Sequence, residues 1–297
     1  MALSLIRKRF VAAALAQLLL LVIGRYSSGC DPTSCTCHAS CPISNVRQGA
    51  WFVAISENFQ VCSLQSHDQA EQLAKHCEGL RANIAEEWFG KCGAWAAKCQ
   101  IVLHRTTQDY VRAVGPGSEV TAGSSLVKPF IGTVRTRRID LRTNVDNCLT
   151  AALPHELCHV VLADHFRDRP APLWFDEGVA LQYDPPAKRL LHERDRQLGM
   201  NRGVGFTLPE LVALDRYPAA DRWGVFYGQS AALVRALLAR GTAPQLLACI
   251  KQTPRGAMSL VLRTDYRLQS WGDIQSTAGV PIAWRGHSIG QPATVAN

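Results

Sequence analysis

The segment Leu153-Pro154-His155-Glu156-Leu157-Cys158-His159-Val160-Val161-Leu162 constrains this chain more than any other. Its histidines sit inside an apolar run of Leu153, Leu157, Val160, Val161 and Leu162, a pattern that predicts a helix lying mostly in the core. Residues four apart on a helix are rotated by about 400°, so His155 and His159 project from one face. Two neutral imidazoles so placed share a metal ion, and Glu156 borders the same face, where its carboxylate reaches a metal-bound water. Chance alone gives an H-E-x-x-H about once in a hundred chains of this composition. The bland alternative is an exposed or capped helix with two unrelated histidines. The apolar context weighs against it, because buried polar side chains need partners.

A catalytic zinc takes three protein ligands and keeps one position for water, so a third ligand is required. Trp174-Phe175-Asp176-Glu177-Gly178-Val179-Ala180 offers Glu177, eighteen residues beyond His159. Taken alone, a Glu before Gly is a solvated side chain at a helix start. Taken with the first motif, the stretch from about Thr150 to Ala180 resembles the gluzincin metallopeptidases, in particular their peptidase MA-like domains. A looser similarity covers roughly residues 50 to 275. The resemblance implies that His155, His159 and Glu177 bind one Zn²⁺ ion and that Glu156 is the general base of a metal-assisted peptide hydrolysis. It implies an α+β fold of thermolysin-like type: a small mixed or antiparallel sheet subdomain packed on a mainly helical one, with the zinc-binding helix at their junction and the cleft between them. By analogy, Tyr227, in Tyr227-Gly228-Gln229-Ser230 of the helical half, donates to the oxyanion; the competing reading is a packing tyrosine with a satisfied hydroxyl. Substrate backbone is expected along the strand ending near Leu141, taken as a sheet edge just before the zinc helix.

The chain departs from the family pattern in two places. Where gluzincin aminopeptidases carry an acidic segment that captures a free amine, it has Val134-Arg135-Thr136-Arg137-Arg138, which favours an endopeptidase over an exopeptidase. Arg135, Arg137 and Arg138 either select acidic side chains or merely protect an edge strand. The position four after Glu177, an Asp in the thermolysin-like pattern, is Leu181. The acid that orients a zinc histidine must come from elsewhere, with Asp164 and Asp184 as candidates, while Asp176 is expected to cap the helix of Glu177. Cys158 is expected to be a small packing residue, since its side chain points about 100° away from His159. His165 lies just beyond the same helix.

Elsewhere, Trp51, Val53 and Ile55 alternate as in a strand, and a short run ending near Cys62 extends the pattern. Ser66 and Gln69 form a capping signature ahead of an amphipathic helix reaching Trp88. Gln100 to His104 and Thr133 to Arg142 are further strands, the second with Ile139 and Leu141 dry and Arg138, Asp140 and Arg142 wet. From about Asn147 the pattern is helical: Thr207 and Glu210 mark a capped start, and helices are expected over Trp223–Arg240, Pro244–Gln252 and Met258–Trp271.

At the N-terminus, Arg7, Lys8 and Arg9 precede the apolar run Phe10 to Ile23, which is shorter than the roughly 20 residues that cross a bilayer. Export follows, with cleavage before Cys30, lipidation of Cys30, or an uncleaved anchor as its forms. Eleven cysteines fit an oxidising destination, extracellular or in the cell envelope. Cys30, Cys35, Cys37 and Cys41 crowd together as disulfide partners rather than metal knuckles. The odd total leaves at least one sulfur without an internal partner, and either a lipidated Cys30 or an unpaired Cys158 restores an even count; the sequence does not choose between them. Half of the formal net charge of +8 comes from Arg7, Lys8, Arg9 and Arg25. The remaining excess is no argument for nucleic-acid binding. The domain reading is therefore 1–29 signal peptide or membrane anchor, 30–49 Cys-rich linker, 50–146 α/β subdomain, 147–278 helical zinc-binding subdomain and 279–297 flexible tail. A peptide or protein is the expected partner, and the oligomeric state is left open. The functional reading is a zinc metallopeptidase; its rivals are a degenerate peptidase domain that binds peptides or envelope components, and a cysteine-rich interaction module with an accidental motif.

Overall fold

The computed structural model describes residues 42–275 apart from 91, 92, 131, 147 and 168. The expected export segment, the cluster Cys30 to Cys41 and the C-terminal tail lie outside the described residues. The described chain is mixed α and β, with a single six-stranded sheet ordered β1-β2-β3-β4-β6-β5. Its strands are β1 (Ser44–Gln48), β2 (Trp51–Ile55), β3 (Phe59–Ser63), β4 (Cys99–His104), β5 (Gly123–Phe130) and β6 (Thr133–Arg142). β1, β2 and β3 form an antiparallel meander, and β4 and β6 lie parallel to β3. β5 returns antiparallel to β6 and forms the far edge. β1 begins inside the stretch read from sequence as linker.

One row of side chains explains the sheet's dry face. Ala54, Val61, Ile101 and Ile139 stand opposite one another across four strands, and each is fully buried. They are covered by α1 (His67–Phe89), which turns Ala70, Leu73, Ala74, Cys77, Leu80, Ile84 and Trp88 inward at helical spacing. The Ser66 side chain accepts from the backbone N–H of Gln69 at its start, and Gly90 ends it with φ of 69°, a conformation that Gly adopts without a Cβ clash. α2 (Thr107–Val114) connects β4 towards β5.

After β6 a short π-helical turn, Cys148–Ala152, leads into α3 (Leu153–Ala163), and α4 (Leu173–Ala180) follows. Then come α5 (Pro186–Asn201), α6 (Leu208–Ala213), α7 (Trp223–Leu238), α8 (Ala243–Gln252), α9 (Met258–Thr264) and α10 (Gly272–Gln275). α6 carries the full reciprocal cap between Thr207 and Glu210. The helix expected over Met258–Trp271 instead stops at Thr264: Arg267 turns left-handed with φ of 53°, and the Leu268 N–H returns to the Leu262 carbonyl. Buried apolar residues run without interruption from the sheet through α3 to α9, and α3 packs against β5, β6, α1 and α4 at their centre. Among the described residues no single helix is long and apolar enough to cross a membrane.

Candidate metal centre

His155 and His159 occupy one face of α3, with ring centroids 4.9 Å apart and their Nε2 atoms separated by 3.2 Å. α4 brings Glu177 to the same place: its Oε2 lies 3.6 Å from His155 Nε2 and 3.8 Å from His159 Nε2. A tetrahedral zinc with bonds near 2.0–2.1 Å spaces its ligand atoms about 3.3 Å apart, close to this triangle. Glu177 is buried, and its Oε2 has no hydrogen-bond partner. A buried carboxylate oxygen without a donor is costly, and a cation at the centre of the triangle would satisfy it. The donor set of two imidazoles and one carboxylate suits zinc.

The close approach of the three side chains depends on the packing behind them. Trp174 and Phe175 are fully buried, and Phe175 meets Trp88 of α1 edge to face at 5.7 Å. Gly178 lets α4 lie against α7: a Cβ there would come within 2.5 Å of the Ser230 carbonyl oxygen and 2.6 Å of Val234 Cγ2.

Each histidine has an acid behind it. His155 Nδ1 is 3.4 Å from Asp184 Oδ1, and His159 Nδ1 is 3.1 Å from Asp176 Oδ1; both are ion-pair contacts rather than in-line hydrogen bonds. Asp184 is one of the two acids considered for this place, Asp164 being the other. Asp176 does not cap α4, whose N-cap is Pro172 without a side-chain bond, and instead faces His159 across the gap between helices. Asp164 pairs with Arg137, away from both histidines. Asp184 also holds Lys188 at 3.0 Å and His192 at 3.2 Å, two α5 residues one and two helical turns along that reach the cleft.

Electrostatics follow from this crowding. Burial opposes charge on His159, but Asp176 and Glu177 outweigh it and push its pKa up to about 10. His155 is raised in the same way, burial being overcome by Asp184 and Glu177. Burial raises the Glu177 carboxyl, but the two histidines overcome this and hold it at about 2. The ring of carboxylates therefore favours positive charge at the triangle, which a divalent ion could supply in place of protons.

The triangle opens into a cleft of about 1160 Å³ that Glu156, Tyr227 and Tyr217 also line. Glu156 borders the histidines as its place in the helix requires, and a Cβ on Gly123 at the start of β5 would sit 3.0 Å from Glu156 Cγ. Tyr227 is half-buried in the cleft wall, and burial raises its hydroxyl pKa. Tyr217, which the sequence reading passed over, donates its hydroxyl to Glu177 Oε1. It lies between α6 and α7, where no periodicity marks it.

The strand ending near Leu141 is not the sheet edge. β6 is enclosed by β4 and β5, and β5 is the strand with a free side beside α3. Nor do the arginines of β6 form a recognition patch. Arg137 is buried and bonds to Asp164 and to the Ala97 carbonyl, and Arg138 grips Asp140. Arg135 is exposed, its guanidinium 5.7 Å from the Phe130 ring centre. Cys158 is fully buried, with burial pushing its thiol pKa well up, as a packing residue requires. His165 stacks on Phe89 at 3.4 Å. The six described cysteines, Cys62, Cys77, Cys99, Cys148, Cys158 and Cys249, are free thiols. No protein-family model matches the chain, and a comparison with curated proteins finds no match.

Proposed function

We propose that this protein is an exported zinc-dependent metallopeptidase of the gluzincin, peptidase MA-like type, cutting internal peptide bonds in a thermolysin-like arrangement of sheet and helical halves. The observation that carries the reading is the convergence of His155 Nε2, His159 Nε2 and the partnerless Glu177 Oε2 from two helices, at separations of 3.2, 3.6 and 3.8 Å, with Glu156 next to His155 in the lining of the same cleft. When bound, zinc lowers the pKa of its water towards 7 and polarises the scissile carbonyl.

The chain's own residues supply the rest. Glu156 takes the proton of the attacking water and returns one to the leaving amine. Asp184 and Asp176 hold the two imidazoles with their Nε2 atoms inward. Tyr227 faces the cleft and is the donor for the oxyanion. β5 supports the choice of substrate: its free side runs next to α3, so an extended peptide can add to the sheet as a seventh strand and pass Glu156 at Gly123. The strand Gly123–Phe130 carries no acidic residue to grip a free amine, which favours an endopeptidase. Export rests on Arg7 to Arg9 and the apolar run that follows them.

The test compares the zinc-loaded full chain with Glu156→Gln against a mixed peptide library, with and without chelator. Cleavage at internal bonds that chelation abolishes, and that Glu156→Gln lowers by at least about a thousandfold while keeping its metal, is the expected result; a loss of that size is about 4 kcal/mol of barrier. Unchanged cleavage in Glu156→Gln would overturn the mechanism.

A further inference from the structure

The two oxygens of Glu177 are treated differently by their surroundings. Oε1 accepts the Tyr217 hydroxyl, whereas Oε2 is left without a hydrogen-bond partner and points at the imidazole pair. We propose that Tyr217 is a positioning residue that engages one oxygen of Glu177 and so commits the other, alone, to the metal. The inference rests on reading His155, His159 and Glu177 as a metal centre, and it adds a residue from a third segment to that centre.

Three observations support it. First, Tyr217 is held in place although the residue is 47% exposed: its ring meets Phe226 edge to face at 5.9 Å, and the next residue is pinned by a 2.9 Å hydrogen bond from Trp223 Nε1 to the Pro218 carbonyl. Secondly, the backbone next to Glu177 has no room to move toward α7, because Gly178 lies tight against Ser230. Thirdly, the neighbouring Tyr227 forms no hydrogen bond to Glu177, although its ring centre is 6.5 Å from that of Tyr217. Without the Tyr217 hydroxyl, Oε1 would be a second buried oxygen lacking a donor. Rotation of the carboxylate would then bring both oxygens toward the ion, adding a bond and displacing or crowding the water that must stay.

The experiment loads Co²⁺, a spectroscopic stand-in for zinc, into the full chain, Tyr217→Phe and Tyr227→Phe, and records the visible d–d absorption together with zinc affinity from chelator competition. Circular dichroism and thermal melting confirm that each variant is folded. The expected result is an intense four-coordinate spectrum in wild type and in Tyr227→Phe. Tyr217→Phe should give a clearly weaker spectrum, as a fifth bond produces, and zinc binding about 10–100-fold weaker. A Tyr217→Phe spectrum and affinity matching wild type within twofold would overturn the proposal while leaving the metal centre standing. A wild-type chain that takes up neither metal would overturn the centre itself, and this inference with it. Because absorption reads coordination number, a hydroxyl that acts only on substrate leaves it unchanged.

Discussion

Gly178 shows how one missing side chain can position its neighbour, here Glu177. A methyl at this site meets the Ser230 carbonyl, a backbone atom that cannot swing aside, so Gly178→Ala is expected to destabilise the fold by about 1–3 kcal/mol and to weaken metal binding. Urea unfolding of the apo and zinc-loaded variant checks this, and a stability change under about 0.5 kcal/mol would contradict it. Behind the histidines, Asp184→Asn and Asp176→Asn are each expected to weaken zinc about 10–100-fold without unfolding the chain. Chelator competition measures that loss, and an unchanged affinity in both variants would remove the acids from the account. At this scale the sequence is informative where chemistry is local. His155, Glu156 and His159 are set by helical spacing alone, and Glu177 by a motif eighteen residues on. Asp176 and Tyr217 are set by how α3, α4 and the segment before α7 meet, and no local pattern encodes that meeting.

Among the elements, β4 and β6 are joined by a buried polar link. His104 Nε2 lies 2.7 Å from Asp140 Oδ1, and Arg138 grips the same carboxylate. Burial raises the Asp140 carboxyl, but the hydrogen bonds from His104 and Arg138 outweigh it and hold it below the usual carboxylate range. A carboxyl depressed in the folded state adds stability above its unfolded pKa of about 3.9, and that stability is lost as pH falls through the folded value. Asp140→Asn is therefore expected to cost about 2–3 kcal/mol near pH 6. The gap between wild type and variant should shrink steadily below about pH 4. Urea titrations at several pH values test the sign, and a gap that widens in acid would refute it. The same sheet separates what was legible from what was not. β2, β3, β4 and β6 alternate or cluster apolar residues and were readable. β5, Gly-Ser-Ser-Leu-Val-Lys-Pro-Phe, has few strand-forming residues and contains a proline, so it carries no strand signal, and β6 reads as the edge in its place. That proline falls at the register shift between Lys128 and Pro129, on an edge strand, where the missing N–H is tolerated.

At the scale of the whole molecule, the sheet and the helices contribute to one large buried cluster among the described residues, and Val53, Cys62 and Val102 form a small separate one. Trp88 on α1 packs on Phe175 of α4, and its indole N–H donates to the Tyr183 hydroxyl at 2.9 Å, which ties the first half of the chain to the second. Far-UV circular dichroism and tryptophan fluorescence are accordingly expected to report one coincident unfolding transition; two separated transitions would show that the halves fold independently. An ion held by α3 and α4 would stabilise that single unit by about 2.7 kcal/mol when free metal exceeds Kd a hundredfold, so chelation should lower the melting temperature. The mixed α and β class was legible from periodicity. The shared core was not, because it depends on contacts between residues about ninety positions apart, such as Trp88 with Tyr183. Metal content bears most directly on the central claim, that two imidazoles and one carboxylate from separate helices hold a single divalent ion. Elemental analysis of the purified, zinc-equilibrated chain should give one zinc per molecule, and close to none in folded His155→Ala and Glu177→Ala. No zinc in the wild-type chain, or full occupancy in both variants, would contradict the account.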